Sequence, residues 1–211
     1  MTAREDYYRK NGEKLAAELE KRGFKAYYCE NGKQALELAL ELIPKGAVVT
    51  WGGTHTIEDI GIMSALKNGD FNVLDRAEAK TPEEKKDIYR KAFSADWYIG
   101  SANAVSADGK IVNIDGTGNR VAAMMYGPDN VLMIVGINKL EKTEEAALAR
   151  ARNVAAPINA ISLEKNTPCG KTGECFDCTS DESICSYVTV TRLCRPKGRI
   201  KVIIVGEELG Y

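Results

Sequence analysis

The sequence predicts an α/β protein with a mostly parallel sheet, helices on both of its faces, and one inserted β-hairpin. Three observations carry that expectation. Apolar runs that read as buried strands recur through the chain: AVVTW (47–51), DWYIG (96–100), VLMIVGI (131–137) and KVIIVG (201–206). Segments with helical apolar spacing lie between them, the alternation from which parallel sheets are built. Between residues 102 and 115, two alternating runs instead flank Asp108-Gly109, a hairpin signal.

The elements follow in order. Residues 6–22 read as a helix with Leu15 and Leu19 on one face and Gly23 as its stop. FKAYYC (24–29) suits a strand. Asn31 can cap a helix carrying Ala35, Leu36, Ala39, Leu40 and Ile43, which ends before Pro44 and Gly46. After AVVTW comes a glycine turn, then a helix with Ile57, Ile60, Met63, Ala65 and Leu66. Asn68-Gly69 is a turn, and FNVL (71–74) a short strand. Thr81-Pro82-Glu83-Glu84 combines a capping threonine, proline at the first helical position and a capping-box glutamate, for a helix reaching about Phe93. A short helix starts near Gly118, and Thr143-Glu144-Glu145 opens another that runs to about Asn153. No repeat, low-complexity stretch or linker divides residues 1–211, so one domain is expected, with a cysteine-rich segment at 167–194.

Composition excludes several functions. With 44% hydrophobic and 28% charged residues the chain is of ordinary globular type, and its 211 residues are enough for a substantial core. A net charge of -1 provides no global basic field for nucleic acid or an anionic membrane surface. No apolar run approaches the roughly 20 residues of a membrane span, and the first residues lack the layout of a signal peptide. A cytoplasmic location is the expectation.

WGGTHT (51–56) joins a predicted strand to a predicted helix. Gly52 and Gly53 let the backbone approach a ligand closely or adopt positive φ. Thr54 and Thr56 can cap the helix, whose free N–H groups favour a phosphate or carboxylate. A tight turn with a threonine cap explains the same residues, so this loop alone decides nothing. A second loop, Asp115-Gly116-Thr117-Gly118-Asn119-Arg120, repeats the pattern between a strand and a helix start. Arg120 is suited to hold a carboxylate or phosphate by two parallel hydrogen bonds, and Asn119 to orient an amide or hydroxyl. In an open parallel sheet, ligands bind beyond the carboxyl ends of strands. Two such loops favour a shared pocket for a small anionic metabolite.

The stretch VSADGKIVNIDGTGNRVAAMMYGPDNVLMIVGINKL (105–140) resembles the LUD-domain family of lactate-utilisation proteins. WGGTHTIEDIGIMSAL (51–66) is similar to that family's first glycine loop and helix. TPCGKTGECFDCTSDESIC (167–185) and the closing VIIVGEELGY resemble the subgroup with a cysteine-rich C-terminal segment. The resemblance covers nearly the whole chain. It implies a fold like that of the NagB, ribose-5-phosphate isomerase and CoA-transferase-like proteins, whose similar loops hold sugar phosphates or acyl-CoA. It also implies a place near the iron–sulfur system that oxidises L-lactate to pyruvate, with an iron–sulfur oxidoreductase as partner. The catalytic carboxylate of the CoA-transferases has no counterpart here, which argues against that chemistry.

Of six cysteines, Cys29 stands alone, while Cys169, Cys175, Cys178, Cys185 and Cys194 crowd together. The spacing Cys169-x5-Cys175-x2-Cys178-x6-Cys185 supplies four thiolates, enough for a tetrahedral zinc or an iron–sulfur cluster. The x5 and x6 arms match no standard zinc-finger or ferredoxin spacing. Buried free thiols and a redox disulfide are the alternatives, and the resemblance favours a cluster. Cys194, on an expected strand, is a spare ligand or a buried thiol. The segment is expected to be an irregular loop on the sheet's edge, ordered by bound metal.

His55 is the sole histidine and therefore the only candidate for a histidine acid or base, although a histidine after a turn is more often a surface residue. Glu58 and Asp59 read as helix-dipole residues, Asp108 as a turn former, and Trp51 and Trp97 as core. Two functions stay open: an enzyme or enzyme subunit acting on a small anionic metabolite, and a non-catalytic accessory or electron-transfer protein. Hairpins like 102–115 can also contribute to a homodimer contact.

Overall fold

The computed structural model describes residues 1–211, and its centre is a six-stranded, all-parallel sheet. The strands in chain order are β1 (Lys25–Cys29), β2 (Val48–Trp51), β3 (Asn72–Leu74), β4 (Trp97–Gly100), β7 (Asn130–Gly136) and β10 (Ile200–Val205), arranged across the sheet as β1-β10-β7-β4-β2-β3. Alternation along each strand sorts side chains onto two faces. Val131, Met133 and Val135 of β7 join Val202 and Ile204 of β10 in one core, together with Leu15 and Leu19 from helix α1 (Ala3–Lys21). Leu132 and Ile134 point the other way and pack with Ile203, Val205 and Trp97, against Ala35 and Ala39 of helix α2 (Gly32–Leu42). Burial on both faces explains why these strands read as continuous apolar runs.

Local chemistry fixes the helix starts. Thr2 and Glu5 form a capping box for α1, and the Asn31 side chain accepts the Gln34 N–H at the head of α2. The helix expected after WGGTHT is two: α3 (His55–Asp59) and α4 (Ile62–Asn68), broken at Gly61, whose φ is +74°. Thr81 and Thr143 cap helices α5 (Pro82–Lys91) and α7 (Glu144–Arg150) as their spacing predicts. The helix that begins at α7 does not stop near Asn153. It continues through a π turn at Ala151–Ala155 into α8 (Ala156–Ser162), because Pro157 falls in the first turn of α8, where its missing N–H is tolerated. No helix is long and apolar enough to cross a membrane.

The hairpin at 102–115 forms as β5 (Ala104–Ser106) and β6 (Ile111–Asp115), but it seeds a second sheet ordered β8-β5-β6-β9. Strand β8 is Leu140–Glu141, and β9 (Tyr187–Thr191) pairs antiparallel with the whole of β6. Residues 167–194 are not the irregular loop that their composition predicts. The alternating YVTVT is a strand, and Thr167 with Pro168 starts a short helix, α9 (Pro168–Thr172). Cys194 also lies beyond the strand, not on it. The second sheet packs Ala104, Val112 and Ile114 against Ala147 and Ala151 of the α7–π segment.

At the hairpin tip, Gly109 has φ +82°, and a Cβ there would lie 2.9 Å from the Glu18 backbone carbonyl carbon. The tip is tied to α1 by Arg22, whose guanidinium pairs with Asp108 at 2.7 Å. Gly109→Ala should therefore destabilise the protein by about 2 kcal/mol or more, from left-handed strain plus a backbone clash. Urea denaturation reads this directly; an unchanged midpoint would show that the tip does not press on α1.

Candidate functional site

The parallel strands end in register, Trp51 beside Ile99, Gly100 beside Met133 and Val205 beside Gly136. Segments leaving their carboxyl ends surround a cavity of ≈ 490 Å³. Gly53, Thr54, His55 and Thr56 follow β2. Ser101, Ala102 and Asn103 follow β4, Lys139 follows β7, and Tyr211 arrives after β10. From the second sheet come Asp115, Gly116, Thr117, Asn119 and Arg120. The two glycine loops thus line one cavity, together with residues that the sequence reading did not select: Arg76, Ser101, Asn103, Asp115 and Lys139.

Asp115 organises the second loop. One carboxylate oxygen accepts the N–H groups of Thr117 (3.2 Å) and Gly118 (3.1 Å); the other accepts those of Arg120 (2.9 Å) and Val121 (3.1 Å). These are the free donors at the start of helix α6 (Asn119–Tyr126). Gly118 takes φ +82° so that the chain can wrap the carboxylate, and the Tyr187 ring lies 3.1 Å from where a Cβ would sit. Gly116 instead meets backbone, with the Ile184 Cα 3.1 Å from its Cβ position. Arg120 leaves this loop and reaches the first: its guanidinium donates to the carbonyls of Ile114 (2.8 Å) and Gly53 (3.1 Å). Arg120 Nε also lies 3.6 Å from Asp115 Oδ2, so the residue works as a latch between the loops, and only the second hydrogens of its terminal nitrogens are left for the cavity.

The first loop differs in detail from its sequence reading. Neither Gly52 nor Gly53 has positive φ. They are small because side chains cross them: a Cβ on Gly52 would lie 2.4 Å from the Tyr98 hydroxyl and 3.1 Å from Arg120 Cδ, and one on Gly53 2.4 Å from Arg76 Nη2. Thr54 stands at the helix start without a capping hydrogen bond. Thr56 does not cap either; its buried hydroxyl accepts from Lys139 and donates to the Leu209 carbonyl (3.4 Å). The Tyr98 hydroxyl beneath the glycines is buried without a partner, and burial raises its pKa well above the usual tyrosine value.

Lys139 is the most deeply buried charged side chain at the site, 2% exposed. Its Nζ donates to Thr56 Oγ1 (2.8 Å) and Ser101 Oγ (3.2 Å) and has no carboxylate within ion-pair distance. Burial, with Arg150 and Arg120 nearby, lowers its pKa to about 7; Asp59 opposes weakly. Asp59 itself accepts the Gly210 N–H (2.9 Å), which holds the final residues over the site. Arg76 lies across Gly53 and makes no ion pair, its neighbour Asp75 being taken by Lys67. His55 lines the rim, half-exposed. Its Nδ1 is 3.1 Å from Glu58, its Nε2 3.4 Å from Ser162 Oγ, and its ring rests on Tyr211.

Of the six cysteines, Cys169, Cys175, Cys178 and Cys185 line one second cavity of ≈ 50 Å³. Gly173 (φ +79°) and Asp177 (φ +50°) turn the chain so that these thiols face inward. Burial pushes Cys185 up to about 11, and the three neighbouring thiols add to the shift, whereas hydrogen bonds from Ser180 lower Cys178. As the side chains stand, no three histidine, cysteine or carboxylate groups meet around a single ion position. Cys29 and Cys194 lie elsewhere, one in each main core; Cys194 Sγ donates to the Pro196 carbonyl and accepts the Ile200 N–H. Ile184 lines both the thiol cavity and the larger one.

The fold and site define an α/β protein that gathers a cation-rich polar cavity at the carboxyl ends of a parallel sheet. The chain belongs to the LUD domain family, whose sequence profile matches residues 12–205. Its fold is similar to that of a DUF162-family protein from Deinococcus radiodurans, with a TM-score of 0.52 and 12% identity over 94% of this chain and 98% of that one. A crystal structure of eIF2B delta from Chaetomium thermophilum overlaps less, with a TM-score of 0.37 and 18% identity over 68% of this chain and 54% of the other. No curated protein matches the chain.

Two outcomes follow from these contacts. Asp115→Asn replaces one acceptor oxygen by an N–H₂ that faces two backbone donors, so stability should fall by about 2–4 kcal/mol, one to two unsatisfied donors' worth; a change under about 0.5 kcal/mol in chemical denaturation would deny Asp115 its role. The second concerns pH. Because the folded state holds Lys139 near 7 against an ordinary 10.5, the unfolded chain carries an extra proton between those values, and stability there rises with pH. Compared with Lys139→Met, the unaltered chain should gain relative stability between about pH 7 and 10.5, with no further change below. A flat difference would mean that the amine stays charged in the fold.

Proposed function

We propose that the protein binds a small organic anion of the lactate and pyruvate type in the cavity between the two glycine loops. One observation carries this reading: Arg76, Arg120 and Lys139 converge on the cavity while its carboxylates are already committed. Asp115 receives four backbone donors and the Arg120 Nε at 3.6 Å, Glu58 faces His55, and Arg76 and Lys139 have no acidic partner. A carboxylate bound there would gain charge-assisted hydrogen bonds in a partly desolvated setting, each contributing about 1.5–3 kcal/mol. Asn103, Asn119 and Asn159 add donors and acceptors for a hydroxyl or carbonyl. The LUD relationship and the lactate chemistry that it suggests support the choice of ligand. Whether catalysis follows binding is read from turnover by the isolated chain.

A second reading is favoured by the thiols. Cys169, Cys175, Cys178 and Cys185 would hold a metal centre, and they surround a cavity instead of closing on one point. Four thiolates are the number that an iron–sulfur cluster or a tetrahedral zinc requires, and the LUD relationship favours the cluster. Burial and, after it, the neighbouring sulfurs disfavour the Cys185 thiolate, a cost that a bound cation would relieve. Such a centre would supply electron transfer to an iron–sulfur oxidoreductase partner, and the cavity would then serve a protein that works as an accessory.

Calorimetric titration and thermal shift with lactate, pyruvate, a sugar phosphate and a CoA ester test the first reading. Arg76→Ala removes a cation with no structural partner and should weaken binding of the responding acid by about 10-fold or more; the Arg120 variant should also loosen the loops. Absence of any response across these ligands would overturn the anion-site reading. For the thiols, anaerobic reconstitution with iron and sulfide should develop visible absorption that Cys178→Ser loses. A colourless protein holding stoichiometric zinc would end the cluster reading.

A further inference from the structure

We propose that Lys139 is a carbonyl-capturing amine: a small 2-oxo acid held by its carboxylate against Arg76 and Arg120 forms an imine with Lys139 Nζ. The inference rests on the anion-site reading and deepens it by naming the reactive residue and the substrate class. Lys139 lines the same cavity as both arginines, and its residue is 98% shielded from solvent. A buried lysine that served only to brace the fold would normally be matched by a carboxylate. This one is matched by two hydroxyls, Thr56 Oγ1 at 2.8 Å and Ser101 Oγ at 3.2 Å, with no acid in ion-pair distance.

The charged groups around it come from every adjoining element. Arg120 and Arg150 oppose its protonation, whereas Asp59 favours it from a greater distance and is itself occupied by the Gly210 N–H. An amine so placed is substantially unprotonated at neutral pH and is therefore a nucleophile. The hydroxyls that it contacts are positioned to hand protons to and from nitrogen.

The step balances without an added reagent. The Nζ lone pair forms a bond to the carbonyl carbon, the C=O π pair moves to oxygen, and that oxygen takes up a proton. Loss of the hydroxyl as water, with departure of the second amine proton, leaves one C=N bond. One water is released, and no atom is oxidised or reduced. Arginine-held carboxylate and amine-held carbonyl are the two handles of a 2-oxo acid, which a simple hydroxy acid or phosphate ester would fill only in part.

The test is reductive trapping on the unaltered full-length chain, with pyruvate as probe and borohydride as reductant, followed by intact mass and peptide mapping. A single adduct on the peptide containing Lys139 is expected, with its initial yield increasing as pH rises through about 7, and Lys139→Met, which keeps an unbranched side chain without burying a fixed charge, should remove it. No adduct at Lys139, or adducts spread over surface lysines, overturns the proposal. Lactate serves as the carbonyl-free control. Thermal stabilisation by lactate or pyruvate with no trapped adduct would sink the covalent role and leave the anion site standing. Loss of both responses would remove the anion site as well. The adduct is read in the unaltered chain, so a variant that fails to fold cannot mask the result.

Discussion

The Asp115 carboxylate is the constraint on which the site depends. Two oxygens collect four backbone N–H groups from consecutive turns of one loop, and the side chain is 5% exposed. Were it absent, those donors would be left at the start of α6 without partners, at about 1–3 kcal/mol for each one that water could not reach. Fixing the loop fixes the root of Arg120, and Arg120 then reaches across to the Gly53 carbonyl. The two glycine loops come from different sheets. A single carboxylate and a single guanidinium hold them at a constant separation, and the cavity is the space that they enclose.

Holding the loops this way has an electrostatic consequence. The one deeply buried acid near the cavity, Asp115, is taken up by four backbone donors and by an ion pair with Arg120 (3.6 Å), and has nothing left for the other cations. Lys139 and Arg150 are both buried, and neither has an acidic partner; Arg150 donates instead to the carbonyls of Asn138 and Asn103. Local rules for stability would place a carboxylate here. The departure from them, at the carboxyl ends of a parallel sheet where ligands bind, marks the place where stability has been set against some other requirement. The missing negative charge is what the proposed anionic ligand would bring.

Much of the architecture was legible because it rests on local signals. Buried parallel strands declare themselves as apolar runs, and caps such as Thr81-Pro82 and Thr143 need only their own neighbours. Strand β9 was hidden because YVTVT sits beside cysteines and short polar residues, and its pairing partner β6 lies far away in sequence. The glycine loops were visible, but the reason for their glycines was not. Gly52 and Gly53 look like conformational residues, yet they are small because Tyr98, Arg120 and Arg76 cross them. Lys139 and Ser101 were missed for a related reason: INK and GSA follow strands as ordinary exits, and only the register of three adjacent parallel strands brings them to one point. Residues that act together by sheet register leave no spacing to read.

The thiol cavity and the larger cavity cannot be treated as independent. Ile184 faces both, and its backbone lies so close to Gly116 that a methyl group at that glycine would have to push it back by a few tenths of an ångström. Gly116 in turn is bonded to Asp115, whose carboxylate sets the second loop. The order of the cysteine segment is therefore transmitted through backbone contact, which yields far less readily than side-chain contact. Little apolar packing holds residues 173–185 on their own: Phe176 is 59% exposed, and Cys175, Cys178 and Cys185 are only partly buried. Whatever arranges Cys185 also places its neighbour Ile184, and with it one wall of the cavity that Arg120 and Lys139 face. The thiols therefore belong to the physical description of the cavity between the glycine loops.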